Sequence, residues 1–502
     1  MADNQTTTEE QNATKRIVIL GGAESGVGSA LLAKAKGFDV FVSDSSILQE
    51  NYRKTLIDND IAFEEQGHTE EFILIADEVI KSPGIPENAS MVRKVTRQQI
   101  PIISEIEFAA RYTKAKMIGI TGSNGKSTTT LLTHHLLTQA GFKVGLAGNI
   151  GESFAKQVVD DAYDFFVVEV SSFQLDNCYE FRPHLSMLIN ITEDHMDRYE
   201  NNINKYIASK FKVIQKQTPE DYFLYNIDDA NVTERLQKIT EGIVGVSEGE
   251  EPAPNRTLPY CLPISLKNAD PEKAKEQSLS YWDEENGNIV LNFSDRGSDE
   301  QKTMTVPVAD LPLPGKHNIF NAMIALQACH ILGASPVVLH EGLKNFSNAP
   351  HRMEEVAELS EVKFINDSKS TNIDSAFYAL DSIKMGEDER KLVWIAGGVD
   401  KGNDYEKIRD LVAKKVKILI CLGLDNEKLH NTFRETVHVT IRTQQINEAV
   451  EQAFDLARPG DTVLLSPACA SYDLFKNYEE RGDSFKKAVQ KLVRLKSRKK
   501  KR

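Results

Sequence analysis

Lys126 and Ser127 follow the glycine-punctuated loop Gly122-Ser123-Asn124-Gly125, and the apolar residues 117–120 lead into it. Strand, loop and helix start in that order suit a nucleoside triphosphate. The two glycines let backbone N–H groups turn inward on an anion, and the helix dipole adds positive potential at the same point. Lys126 can reach the outer phosphates, and the Ser127 hydroxyl can hold magnesium. The loop is shorter than the general G-x-x-x-x-G-K-[ST] form, and a surface turn beside a lysine is the competing reading. The flanking strand and helix patterns favour ATP.

Two further groups could do chemistry. Glu169 ends the apolar run 165–170. A lone buried carboxylate is costly, and a metal ion beside the phosphate loop would compensate it. Asn190-Ile191-Thr192-Glu193-Asp194-His195 gathers acidic and imidazole groups after another apolar run, an arrangement suited to magnesium and phosphate. In isolation His195 reads as a hydrogen-bonded structural histidine. Near an ATP loop it reads as functional.

These groups need a scaffold. Residues 1–14 are polar and predict a disordered lead-in. Residues 16–22 read as a strand, 26–36 as a helix and 39–43 as a second strand with Asp44 at its tip. Glycines 21, 22, 26 and 28 make the intervening turn a phosphate-capture candidate, but their spacing is not that of a nicotinamide site. Residues 73–75 and then 78–86 predict a strand leaving through a rigid turn. The first domain then ends near Ser104. Leu131, Leu132, Leu136 and Leu137 predict a helix over 127–140. Strands follow at 143–147, 165–170, 185–191 and 222–226. Residues 248–302 read as a polar insertion or elaborated edge without a catalytic role, and 318–332 as a helix. From about Ala349, strands at 363–366, 391–396, 417–422, 438–440 and 462–465 alternate with helices. The alternation predicts α/β architecture in three domains: an N-terminal Rossmann-like domain (15–104), a central P-loop ATPase-type parallel sheet (105–348) and a C-terminal Rossmann-like domain (349–490).

At 502 residues three domains is the natural count. No apolar run has the length of a membrane span and no signal segment opens the chain. Five scattered cysteines without a C-x-x-C pair argue against disulfides or zinc and for a reducing cytoplasm. A net charge of −14 disfavours nucleic acid as a partner. Ten basic and no acidic residues lie between 486 and 502. Residues 491–502 read as a basic tail, disordered from 496 onward, with solubility as its plainest role.

The phosphate loop, Glu169-Val170-Ser171-Ser172-Phe173-Gln174, the Asn190–His195 motif and Lys316-His317-Asn318 through Asn321 together resemble the Mur ligases of bacterial cell-wall synthesis. His351-Arg352, Asn366-Asp367-Ser368-Lys369-Ser370-Thr371-Asn372, and two C-terminal runs, 465–473 and 475–482, extend the likeness over nearly the whole chain. It is greatest to the branch that adds D-glutamate. The resemblance implies that ATP phosphorylates the carboxylate of UDP-N-acetylmuramoyl-L-alanine. The D-glutamate amine then attacks the acyl phosphate.

By the same resemblance Lys126, Glu169, His195 and Lys210 are catalytic. Two magnesium ions would lie among Ser127, Glu169, His195 and a carbamylated Lys210. ATP would also contact Ser123, Asn124, Gly125, Thr128, Thr129, Asn321, Arg352 and Asp367. Gly22, Ser25, Gly26, Asp44, Asn149, Ser171 and Gln174 would bind the UDP-substrate. Lys369, Thr371, Lys401, Ser471, Tyr472 and Tyr478 would bind D-glutamate, a dianion that calls for cations and hydroxyls. Tyr472 and Tyr478 depart from the family's Leu and Phe. A monomer is implied, with the third domain closing on hinges near Ser104 and Ala349. The alternatives are a sister Mur ligase, a folylpolyglutamate synthase-like ligase, a nicotinamide dehydrogenase and a non-catalytic ATP-gated binding protein.

Overall fold

A computed structural model describes residues 14–247, 249–253, 256–294, 301–313, 315–347, 350–383, 390–400 and 402–499. They form three sheets flanked by helices. The expected lead-in at 1–13, the boundary at Ala349 and the candidate ligand Lys401 lie outside the described residues.

The first sheet is parallel, in the order Ala62–Glu64, Asp39–Ser43, Arg16–Leu20, Glu78–Lys81, Ile102–Ile103. Ile17 to Leu20 are all buried because each face has its own helical cover. Ile17 and Ile19 pack with Val40 and Val42, while Val18 and Leu20 pack with Phe41 and Val79.

The second sheet has nine strands, in the order Gln301–Pro307, Asn288–Ser294, Ser280–Asp283, Tyr260–Ser265, Tyr222–Asn226, Leu185–Leu188, Lys116–Thr121, Phe165–Glu169, Val144–Gly148. The stretch read as an insertion therefore supplies edge strands. Around the phosphate loop the strands are parallel and in register, with Ile120 beside Glu169, Thr121 beside Leu188 and Gly148 beside Glu169. Four strand ends thus deliver the loops beginning at Gly122, Asn149, Val170 and Ile189 to one edge, where α/β sheets bind ligands.

The third sheet runs Glu354–Leu359, Val362–Asn366, Thr462–Leu465, Leu392–Ala396, Val416–Leu422, Val439–Thr443, with only the first strand antiparallel. Two compact units divide the chain: residues 1–284, 290–305 and 323–342, and residues 285–289, 306–322 and 343–502. The first two sheets belong mainly to the first unit and the third sheet to the second. Among the described residues no helix is long and apolar enough to cross a membrane.

Three expectations need correction. Residues 73–75 are not a strand; Glu70–Ile73 is a short helix whose first turn carries Glu70 and Glu71, charges that favour a helix N-terminus. The strand Glu354–Leu359 was missed, because Glu354, Glu355 and Glu358 hide its pattern at an exposed edge. The disorder expected from 496 is overturned for residues 496–499, which the helix Tyr478–Lys499 includes; residues 500–502 lie outside the described residues. Phe485, Ala488, Val489 and Leu492 bury one helical stripe in the third sheet's core. Lys496 then pairs with Asp455 at 3.0 Å and lies 4.9 Å from the Phe454 ring centroid.

Candidate active site

Gly125 starts the helix Lys126–Gln139 with φ 88°, a conformation that a residue with a Cβ rarely adopts. The first turn holds Lys126, Ser127, Thr128 and Thr129, and it closes where the Thr129 N–H donates to the Gly125 carbonyl at 3.0 Å. The loop is braced from the next strand. Asn190 Oδ1 accepts the Ser123 and Asn124 N–H groups at 3.2 and 2.9 Å, and Asn190 Nδ2 donates to the Asn124 carbonyl at 3.0 Å. Ser123 Oγ bonds the Thr192 carbonyl at 2.9 Å and lies 3.1 Å from the Tyr206 hydroxyl. Lys126 Nζ folds over the loop and donates to the Gly122 and Ser123 carbonyls at 2.9 and 2.8 Å. Local pattern reveals no role for Asn190 or Tyr206, although Asn190 lies within the motif that also holds His195.

Glu169 is buried. Its Oε1 accepts from Asn149 Nδ2 at 3.0 Å, and its Oε2 has no hydrogen-bond partner among the described residues. An orphaned carboxylate oxygen at the strand end is what a cation would satisfy. Lys210, on the helix Ile203–Phe211, is also buried and donates to the Gly122 carbonyl at 2.7 Å. Burial and the nearby Lys126 charge push its amine well below the usual lysine range. His195 has a left-handed backbone with φ 54°, and its Nε2 lies 3.6 Å from Asp194 Oδ2. Its ring sits edge-on to Phe173, centroids 4.9 Å apart. No cluster of three or more His, Cys, Asp or Glu side chains is poised for a metal among the described residues. The orphaned Glu169 oxygen and the buried Ser127 fit the expected role in holding magnesium.

Ser171 caps the short helix Ser172–Asp176 in a reciprocal box with Gln174: Ser171 N–H donates to Gln174 Oε1 at 2.9 Å and Gln174 N–H to Ser171 Oγ at 3.3 Å. Asn149, Ser171 and Gln174 therefore stand at the same sheet edge as the phosphate loop. The turn before helix Glu24–Ala35 is fixed by Asp44, whose carboxylate accepts the Gly22 N–H at 2.7 Å and the Ser46 N–H at 2.8 Å. Ser25 Oγ lies 3.4 Å from Ser82 Oγ, and Gly26 is buried in the first helical turn. Gly28 faces elsewhere: a Cβ there would stand 1.8 Å from Ser153 Oγ.

In the second unit, Asp367 is buried and accepts from Ser466 Oγ at 3.0 Å and the Met353 N–H at 3.2 Å. Burial pushes its carboxyl up to about 7 against the opposing pull of Ser466 and Arg352. Lys369 Nζ lies 3.8 Å from the centroid of the Tyr478 ring. Ser471 is buried, Thr371 half-buried, and Tyr472 points outward at 72% exposure. Asn321 Nδ2 bonds Asn318 Oδ1 at 3.3 Å. Arg481 is buried and ties two loops together through hydrogen bonds. Its Nε donates to Ser368 Oγ at 3.1 Å, one terminal nitrogen to the Ser368 carbonyl at 2.9 Å, and the other to the Cys469 carbonyl at 3.1 Å. The structure thus groups Asp367, Lys369, Ser471 and Tyr478 around segments that Arg481 joins.

Three family profiles match the chain: MurD N-terminal domain over residues 16–91, Mur ligase middle domain over 120–329, and Mur ligase, glutamate ligase domain over 351–469. The UDP-N-acetylmuramoylalanine--D-glutamate ligase of Christiangramia forsetii is 45% identical over 478 residues, covering 95% of this chain and 100% of the relative. That of Cytophaga hutchinsonii is 46% identical over 482 residues, covering 96% and 100%. Among solved structures, MurF ligase from Thermotoga maritima in complex with ADP superposes with a TM-score of 0.55 at 14% identity, covering 92% of this chain and 99% of that one.

Proposed function

Because the chain belongs to the Mur ligase family, we infer that the loop closed by Lys126 and Ser127 holds ATP and that the turn at Gly22 holds the UDP end of a muramoyl substrate. The enzyme is an ATP-dependent ligase of peptidoglycan precursor synthesis that joins D-glutamate to UDP-N-acetylmuramoyl-L-alanine. A free carboxylate is a poor electrophile, so the alanyl carboxylate attacks the γ-phosphorus of ATP and ADP leaves. The D-glutamate amine then adds to the acyl-phosphate carbonyl, loses a proton, and inorganic phosphate departs as the amide forms.

The protein contributes position and charge. The loop N–H groups and Lys126 stabilise charge on the transferring phosphoryl group. Asn149, Ser171 and Gln174 hold the muramoyl end of the substrate. Lys369, Thr371, Lys401, Ser471 and the Tyr478 region receive D-glutamate, while Asn321, Arg352 and Asp367 contact ATP. When bound, magnesium neutralises phosphate charge at Ser127, Glu169 and His195. Lys210, whose proton affinity burial and the Lys126 charge lower, is suited to add to carbon dioxide: an N–C bond forms, a proton leaves, and an anionic carbamate replaces the amine. The enzyme acts as a cytoplasmic monomer in this reading.

The observation that carries it is Glu169 Oε2, a buried carboxylate oxygen without a partner among the described residues, at the strand end beside the ATP loop. Purified protein with ATP, magnesium, UDP-N-acetylmuramoyl-L-alanine and D-glutamate should yield the ligated product by mass and one phosphate per product. L-alanine, L-glutamate or diaminopimelate in place of D-glutamate should yield none. Product with one of those amino acids and not with D-glutamate would refute the assignment.

A further inference from the structure

Ser153 stands where three parts of the first unit meet, and each of its polar groups is engaged. Its N–H donates to Glu24 Oε1 at 3.1 Å, and its hydroxyl donates to Glu105 Oε1. The same hydroxyl accepts the Lys156 N–H at 3.1 Å, and the Ser153 carbonyl accepts the Gln157 N–H at 3.1 Å. Ala155 N–H adds a second bond to Glu105 Oε1 at 3.1 Å, and the Tyr52 hydroxyl bonds Glu24 Oε2 at 3.3 Å. Glu24 opens the helix that follows the Gly22 turn, and Ser153 comes directly after the loop that begins at Asn149. Glu105 begins the helix Glu105–Ala110, in the segment joining the first sheet to the second.

Gly28 completes the arrangement. A Cβ there would lie 1.8 Å from Ser153 Oγ and 2.6 Å from Ser153 Cβ, so only glycine lets helix Glu24–Ala35 approach this closely. Val27, Phe154 and Ala155 share one apolar core and hold the two faces together. Apolar contact is non-directional and tolerates sliding. Hydrogen bonds to two carboxylates set the register. Burying Glu105 against only neutral donors is costly, and its carboxyl is pushed up to about 7.

We propose that Glu24, Ser153 and Glu105 form a latch, seated on Gly28, that fixes the distance between the diphosphate turn at Gly22–Gly26 and the muramoyl loop at Asn149. They are positioning residues for the UDP-substrate, and the proposal rests on the assignment of those two loops given above. A ligand that touches both loops gains from their fixed spacing, because its second contact is intramolecular. A ligand that touches one loop gains nothing from it.

Calorimetric titration of the full-length protein with two probes, UDP and UDP-N-acetylmuramoyl-L-alanine, tests the latch. In Ser153→Ala and in Glu24→Ala, which removes the acceptor of the Ser153 N–H, UDP affinity should stay within about twofold of the parent while the complete substrate binds about tenfold more weakly. Gly28→Ala should behave alike, with the KM for ATP unchanged in all three. Should Ser153→Ala fail to fold in a thermal melt, Glu24→Ala decides. Equal weakening of both probes, or no weakening of the complete substrate, overturns the proposal. Failure of the parent protein to bind either probe would instead defeat the substrate assignment itself.

Discussion

Lys210 and Lys126 share one acceptor: both donate to the Gly122 carbonyl, at 2.7 and 2.9 Å. Two full positive charges so close to one oxygen repel each other, and Lys210 is the more deeply buried. Burial and the neighbouring Lys126 charge therefore lower the proton affinity of the Lys210 amine. The shared carbonyl brings the two lysine side chains to one point of the loop.

From this follows a dependence on dissolved carbon dioxide. Enzyme equilibrated in carbon dioxide-free buffer should lose activity by about 10–100-fold and regain it on addition of bicarbonate. With ¹³C-bicarbonate a carbamate carbon signal should appear in the parent protein and be missing in Lys210→Arg. Full activity without carbon dioxide would remove the carbamate from the account.

Asn190 should matter through the loop it braces. Its side chain makes three bonds to Ser123 and Asn124, each worth about 1 kcal/mol. Asn190→Ala should raise the KM for ATP by about tenfold or more and leave the KM for D-glutamate within about twofold. Steady-state kinetics with each substrate varied in turn check this. A uniform change in every KM would assign Asn190 to stability alone.

Stability should fall as pH rises through the neutral range. Glu105 has an ordinary carboxylate pKa when unfolded and one pushed up to about 7 when folded, by burial and by the neighbouring Glu24 charge. The folded state therefore binds the proton more tightly. The stability linked to this group is complete below about 4.5 and lost as pH climbs to about 7, a change of about 3 kcal/mol. Glu105→Gln cannot ionise and should flatten that part of the curve. Urea unfolding of both proteins between pH 5 and 8 measures it, and parallel curves would show that Glu105 is not the titrating group.

Tyr478 supplies a ring to Lys369, whose Nζ lies 3.8 Å from the ring centroid. The attraction between a cation and an aromatic face is worth about 1 kcal/mol. Tyr478→Phe should leave the KM for D-glutamate unchanged, and Tyr478→Ala should raise it about fivefold. A loss on removing only the hydroxyl would mean that the oxygen contacts substrate.

The chemistry-bearing parts of the chain were the most legible. The Lys126 loop, Glu169 and the turn at Asp44 follow short apolar runs, and such runs become buried parallel strands whose ends align. The tail was misread because charge density was weighed above the Phe485, Ala488, Val489, Leu492 stripe that holds the helix down. Strand Glu354–Leu359 escaped because an edge strand tolerates charge and loses its alternation. The brace at Asn190, the guanidinium of Arg481 and the latch at Ser153 were invisible for another reason. Each joins residues far apart in sequence, such as Glu24 and Ser153, and no local pattern reports a pairing of that kind.

The buried Arg481 also bears on when the enzyme becomes competent. Its guanidinium supplies the donors that tie the Ser368 segment to the Cys469 segment, yet it lies on a helix, Tyr478–Lys499, that follows both in the chain. A polypeptide stopped short of residue 481 should fold its ATP loop and remain blind to D-glutamate. Titrating such a truncated chain with nucleotide and with D-glutamate would reveal that order. Completion of the helix Tyr478–Lys499, rather than folding of the nucleotide-binding portion, would then set the moment at which this ligase can begin to consume ATP productively.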